Sequence, residues 1–260
     1  MHDKKKKRIL FIIIAILLVI AAIACSATWY FNIGRFNGDP YKHTSSSQSS
    51  TPTDSDVSSN VVKVENPIDF DKLEKENSDI YAWITVPNTK IDYPIVQSFT
   101  ENDLYYIDHT VKKKYSAAGS IFTQKRNQRD FSDPNTVIYG HNMRNGTMFR
   151  HLHKFKEKEF FDENEYFYIY IRGHILTYRI FSAYEYDNRH ILNSFDFSDK
   201  QVFGEYLRSA ANPSTMIKNT REVPLTTDDR IVTLSTCMAN NKPESRYLVQ
   251  GVLIKDEPTY

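Results

Sequence analysis

Apolar and polar positions follow three different textures along this chain. Over residues 9–31 apolar side chains succeed one another almost without interruption. At about 1.5 Å rise per residue, such a run reaches about 35 Å as a helix, enough to cross a hydrocarbon layer of about 30 Å. Over residues 44–59, eleven of sixteen positions are Ser or Thr. That stretch cannot bury enough apolar surface to offset its conformational entropy, so it predicts a solvated tether. Beyond residue 62 the pattern becomes short and varied. Phe70, Leu73 and Ile80 recur among charges, predicting a short amphipathic helix near 69–79. Eight β-rich runs follow, at 82–86, 90–96, 120–123, 136–139, 166–171, 175–184, 231–236 and 247–254, divided by Gly, Pro and Asn turns. Two helices interrupt them. One is predicted near 146–155, after Gly146. The other covers about 199–211, where Ser198 to Gln201 has capping-box spacing and Val202, Phe203, Tyr206 and Leu207 form a stripe. The predicted class is mainly β, a barrel or sandwich with helices in its connections and a helical N-terminal extension.

Charge gives the first run a direction. Lys4, Lys5, Lys6, Lys7 and Arg8 precede it, and such a block stays on the cytoplasmic side. The predicted division is a basic cytoplasmic tail at 1–8, a single-pass membrane anchor at 9–31, a linker at 32–62 and an extracellular domain at 63–260. Ala22, Ile23 and Ala24 also fit a signal-peptide cleavage pattern, and Cys25 after them makes a weak lipobox with Ala where Leu is usual. The length of the run favours the uncleaved anchor; either way the folded part faces the exterior. Over the whole chain 33 basic residues balance 32 acidic ones, which excludes a strongly basic nucleic-acid binder. Of two cysteines, Cys25 belongs to the apolar run, so Cys237 is the exported part's single thiol. With no intramolecular partner in an oxidising compartment, it must be buried or used.

Three residues bear on use. In a strand over 231–236, Thr233, Ser235 and Cys237 share the face opposite Val232 and Leu234, so the thiol sits on the more polar side at a strand end. Arg246 follows nine residues later at the start of the next strand, which places it on the same rim. His141 lies just past the 136–139 strand, behind Gly140, whose freedom suggests a sharp turn. An imidazole near a thiol holds it as thiolate, the nucleophilic form. Reference pKa values leave the ion pair at about 1% of the neutral pair, and each ~1.4 kcal/mol of attraction raises that tenfold. A guanidinium supplies such a field and donates to an oxyanion. His151 and His153 sit two apart on a predicted helix and share no face, so no metal site is predicted, and no cofactor is required.

Together these motifs resemble the sortases, cell-wall transpeptidases of Gram-positive bacteria. The carriers are Thr233-Leu234-Ser235-Thr236-Cys237, the spaced Arg246, and Gly140-His141-Asn142-Met143. Residues 83–97, Gly119 to Phe122 with Arg126 and Asn127, and the late helix at 199–211 are similar to class B. The likeness covers about 69–256. It implies an eight-stranded sortase-type barrel with Cys237 as nucleophile, His141 as acid/base and Arg246 as oxyanion stabiliser. It also implies cleavage of a C-terminal sorting signal of NPxTx or LPxTG type, between Thr and Gly or Asn. A thioester follows, then transfer of the surface protein to a peptidoglycan amine. Ser235, Thr236 and Ile191, with Asn102 and Tyr106, are implied signal contacts. The sequence departs from the family at Asn88, where Gly is expected in a turn, and at Thr123 and Gln124, where an acidic residue is expected. A catalytically inactive membrane-tethered binding domain of the same fold is the alternative reading. Papain-like enzymes, with the cysteine on a helix ahead of its histidine, and L,D-transpeptidases, with the two close in sequence, fit poorly.

Overall fold

The computed structural model describes residues 64–238 and 244–260. The predicted tail, anchor and linker, residues 1–62, lie outside the described residues, among which no helix is long and apolar enough to cross a membrane.

The first helix, α1 (Phe70–Glu76), starts where Asp69 accepts from Lys72 N at 2.9 Å, and it buries Phe70 and Leu73. It ends earlier than expected because Asn77 turns extended and spends its side chain on Asp79 N, Tyr106 Oη and Val111 O. Strands β1 (Ile80–Thr85) and β2 (Asp92–Val96) form a hairpin. Asn88 in its turn has φ of 59°, the left-handed geometry Asn tolerates, and its amide donates to Asn164 Oδ1. Next come β3 (Ile121–Phe122), β4 (Asn135–Tyr139), β5 (Tyr166–Ile171), β6 (His174–Asp187), β7 (Lys218–Thr220), β8 (Ile231–Cys237) and β9 (Ser245–Pro258). Their order is β5-β1-β2-β3-β4-β8-β9-β6, and β5 pairs β6 to close an eight-stranded barrel. The three-residue β7, which no apolar pattern announces, pairs the outer half of β6.

Two apolar clusters divide the molecule. Inside the barrel lie Ile84, Ile95, Ile138, Phe167, Ile180, Val232 and Leu234, all fully buried. Outside, α3 (Ile191–Ser194) and α4 (Lys200–Ala211) cover the other face of β4, β6, β8 and β9 with Ile191, Phe203, Tyr206 and Leu207. The cap of α4 is Asp199, whose carboxylate accepts from Gln201 N and Val202 N; Ser198 instead donates to Asp196. A carboxylate also suits the positive end of the helix dipole. The region expected as one helix at 146–155 is a 3-10 helix, Phe149–Lys156, followed by α2 (Lys158–Glu163). Phe149, Leu152 and Phe155 are fully buried at a spacing of three, which matches three residues per turn better than 3.6.

Candidate active site

Strand β8 supplies one wall and sets the position of the thiol. Its residues are buried from Ile231 to Thr236, and Cys237 at the end is exposed. Antiparallel pairing sets Cys237 opposite Arg246 of β9, and parallel pairing sets Ser235 opposite Tyr139 of β4. Gly140 N donates to Ser235 O at 3.1 Å, so the chain leaves β4 beside β8 and delivers His141 to the same rim. Gly140 does not adopt a left-handed backbone conformation. A Cβ there would lie 2.5 Å from Ile121 and 2.7 Å from the Phe149 ring, so glycine serves close packing.

Cys237, His141 and Arg246 meet in a cleft of about 280 Å³ whose walls are mainly apolar: Leu104, Ile107, Phe122, Tyr139, Ile191 and Leu248. A larger hollow of about 550 Å³ between Arg126, Pro134 and Phe197 contains none of the three. His141 is oriented from the far side, its Nε2 lying 2.7 Å from the carbonyl of Ile107. A carbonyl only accepts, so Nε2 carries the proton and Nδ1 is the basic nitrogen of the neutral ring. That carbonyl is fixed in turn. Gly119, at φ of 57°, passes so close that a Cβ would meet Ile107 O at 2.3 Å. Beneath the same turn, Tyr106 donates to the buried Asp79 at 2.7 Å.

Of the implied signal contacts, Ser235 and Ile191 line the cleft. Thr236 lines it too, although strand alternation turns its side chain inward with Val232 and Leu234 and it is 2% exposed. Tyr106 does not line the cleft: at 1% exposure it anchors the turn from below. Asn102 is exposed but outside the cleft, its side chain accepting from Leu104 N and so shaping the turn. Their neighbours Leu104 and Ile107, 50% and 40% exposed, are the residues that reach the cleft. The signal for them was an apolar pair left unburied in a polar connection. Tyr139 and Tyr186 line the cleft as well, and both hydroxyls are buried without a hydrogen-bond partner. Burial pushes both phenols up, so they stay protonated donors at any ordinary pH.

The histidines spaced two apart diverge as expected for a tight helix. His151 Nδ1 accepts from Lys90 N at 3.1 Å, while His153 points to the rim, its Nε2 3.0 Å from Cys237 O. Burial, and then the charge of Lys156, hold the His153 pKa down at about 4.

Known proteins resemble this arrangement throughout the barrel. The Sortase domain family matches residues 84–254. Sortase B of Listeria monocytogenes is 39% identical over 70% of this chain and 72% of its own length. Sortase B of Staphylococcus aureus is 30% identical over 72% and 75%. The crystal structure of Clostridium perfringens sortase B superposes with a TM-score of 0.65 at 34% identity, covering 72% of this chain and all of that one. A lone exposed thiol on a barrel rim, set across from an arginine and joined by an oriented imidazole, thus comes with matching sequence and matching fold, and the chain belongs to the class B sortases, cysteine transpeptidases of cell-wall anchoring.

Proposed function

We propose that this chain cuts a C-terminal sorting signal of NPxTx or LPxTG type after its Thr and joins the protein to a peptidoglycan amine through a thioester on Cys237. The observation that carries the reading is the register of Cys237 with Arg246, with His141 entering the same cleft. The Cys237 thiolate attacks the carbonyl carbon of the scissile bond. The Arg246 guanidinium donates to the resulting oxyanion in a fork that an ammonium does not reproduce. His141 as imidazolium gives its proton to the departing amine, and collapse leaves the acyl group on sulfur. An incoming amine then attacks the thioester, His141 takes its proton, and the thiolate leaves.

A peptide suits the cleft. Its apolar side chains match Leu104, Ile107 and Ile191, and its amides offer partners to the hydroxyls of Tyr139 and Tyr186. The basic block and apolar run at 4–31 fit an anchor that holds the domain outside the cell near its surface-protein clients and the wall precursor. The test is a signal peptide with the domain of residues 63–260. Wild-type protein is expected to gain the acyl mass on Cys237 and lose it to hydroxylamine, and Cys237→Ala to form no adduct and no product. Product formation by Cys237→Ala would overturn the reading.

A further inference from the structure

Behind the cleft, the backbone carbonyl of Cys237 receives two side-chain donors. Asn142 Nδ2 lies 3.0 Å from it, and His153 Nε2 lies 3.0 Å from it. A carbonyl has two lone pairs, so both donors can be accommodated. The orientation of the Asn142 amide is fixed independently, because its Oδ1 accepts from Arg150 Nη1 at 3.0 Å, leaving the nitrogen toward Cys237. His153 Nε2 also lies 3.0 Å from Asn142 Nδ2, so that nitrogen faces both the amide and the carbonyl. Its Nδ1 is buried without a partner, and a proton there would be an orphaned buried N–H, the rarer kind of unpaired group, so we place the proton on Nε2, where it is directed at the carbonyl. Stacking on Tyr247, with ring centroids 5.0 Å apart, holds the imidazole in place.

We propose that Asn142 and His153 are positioning residues: together they clamp the carbonyl of Cys237 and hold the open end of β8 so that Sγ faces His141 and Arg246. Cys237 is the last residue of its strand. Beyond it the ladder supplies Met238 N to Ser245 O at 3.2 Å. The last peptide of the strand is therefore set by side chains as much as by the sheet. Asn142 follows His141 directly, so a single segment presents the imidazole on one side of the thiol and grips the thiol's own backbone on the other. Displacements of about 1 Å cost about a hundredfold in rate when geometry is catalytic.

This inference rests on Cys237 being the nucleophile, so the experiment includes a readout that needs no sorting signal: the pH profile of Cys237 alkylation by iodoacetamide. In His153→Leu and Asn142→Ala, alkylation at neutral pH is expected to fall about tenfold, with its profile moved to higher pH. Turnover of a signal peptide is expected to fall 10- to 100-fold in kcat with KM little changed. His153→Gln, whose amide N–H reaches toward the same carbonyl, is expected to recover most of what His153→Leu loses, and it keeps the test open if His153→Leu fails to fold. The double variant is expected to lose less than the product of the two single losses, because the donors act as a unit. Folded His153→Leu and Asn142→Ala proteins with the wild-type alkylation profile would overturn the clamp. Failure of the transpeptidase reading would appear separately, as product formed by Cys237→Ala.

Discussion

Two stretches of the same strand pair, on the same outer face of the barrel, use polar residues in opposite ways. Midway along β8 and β9, beneath α4, Thr233 donates to Asn135 Oδ1 at 2.8 Å, and Gln250 donates to Thr233 at 2.8 Å and to Tyr206 Oη at 2.7 Å. Tyr184 completes the group by donating to Gln250 Oε1, leaving only Asn135 Nδ2 in it without a partner. Four residues on, at the rim, Cys237 is exposed and the hydroxyls of Tyr139 and Tyr186 have no partner. The buried middle spends its polar atoms on itself, because an unmade bond there costs about 1–3 kcal/mol. At the rim the Cys237 thiol is exposed and the two tyrosine hydroxyls, though buried, are not spent on bonds within the fold. Polarity on one strand face is therefore structural or chemical according to what covers it.

Substitutions can break this contrast from either side. The largest expected effect after loss of the thiol is at Arg246. Arg246→Lys should lower kcat/KM for a signal peptide by about 10²–10³-fold, as loss of one oxyanion donor does, with an unchanged melting temperature. Wild-type turnover in that variant would remove the oxyanion role. Under α4 the effect should reverse. Thr233→Val strands Asn135 and Gln250, so denaturant unfolding is expected to record a loss of about 1–3 kcal/mol while turnover per folded molecule stays the same. Tyr186→Phe should do the opposite on a smaller scale. Deleting a hydroxyl without a partner leaves stability intact, and KM should rise about three- to tenfold if the hydroxyl meets the peptide. The gentlest probe is acid. Because the folded His153 pKa is about 4 against about 6.5 unfolded, the unfolded chain binds the proton that the fold refuses. Stability contributed at neutral pH is therefore lost as pH falls from about 6.5 to about 4. Thermal unfolding at pH 7 and pH 5 should show the drop in wild type and a smaller one in His153→Gln.

The sequence made much of this legible, and its failures share a cause. All eight barrel strands were readable because apolar and β-branched runs mark positions buried on at least one face. Three-residue β7 was not, because Lys218–Thr220 carries no apolar signal and exists only as a pairing with β6. The rim location of Cys237 and Arg246 was readable because an antiparallel pair needs only a loop length to set its ends. Tyr106 lies beneath the cleft rather than in it, and the Thr236 side chain turns inward, because which side of a turn or strand faces a cleft depends on packing from other elements. Asn102 lies outside the cleft for a related reason: the turn it shapes presents Leu104 and Ile107 instead. The roles of Asn142 and His153 were hidden similarly. Both bond to the carbonyl of a residue more than eighty positions away.

By itself, then, the order of residues determined the strand runs, the single thiol beyond the N-terminal apolar run, and the family through its spaced Cys, His and Arg. These are local properties: side-chain period, residue count and motif need no knowledge of the partner strand. Only the tertiary structure decided which carbonyl orients His141, which exposed apolar residues border the cleft, and what holds the last peptide of β8. Each of those depends on closing the barrel, which brings residues 107, 142, 153 and 237 to one rim across separations that no periodicity encodes.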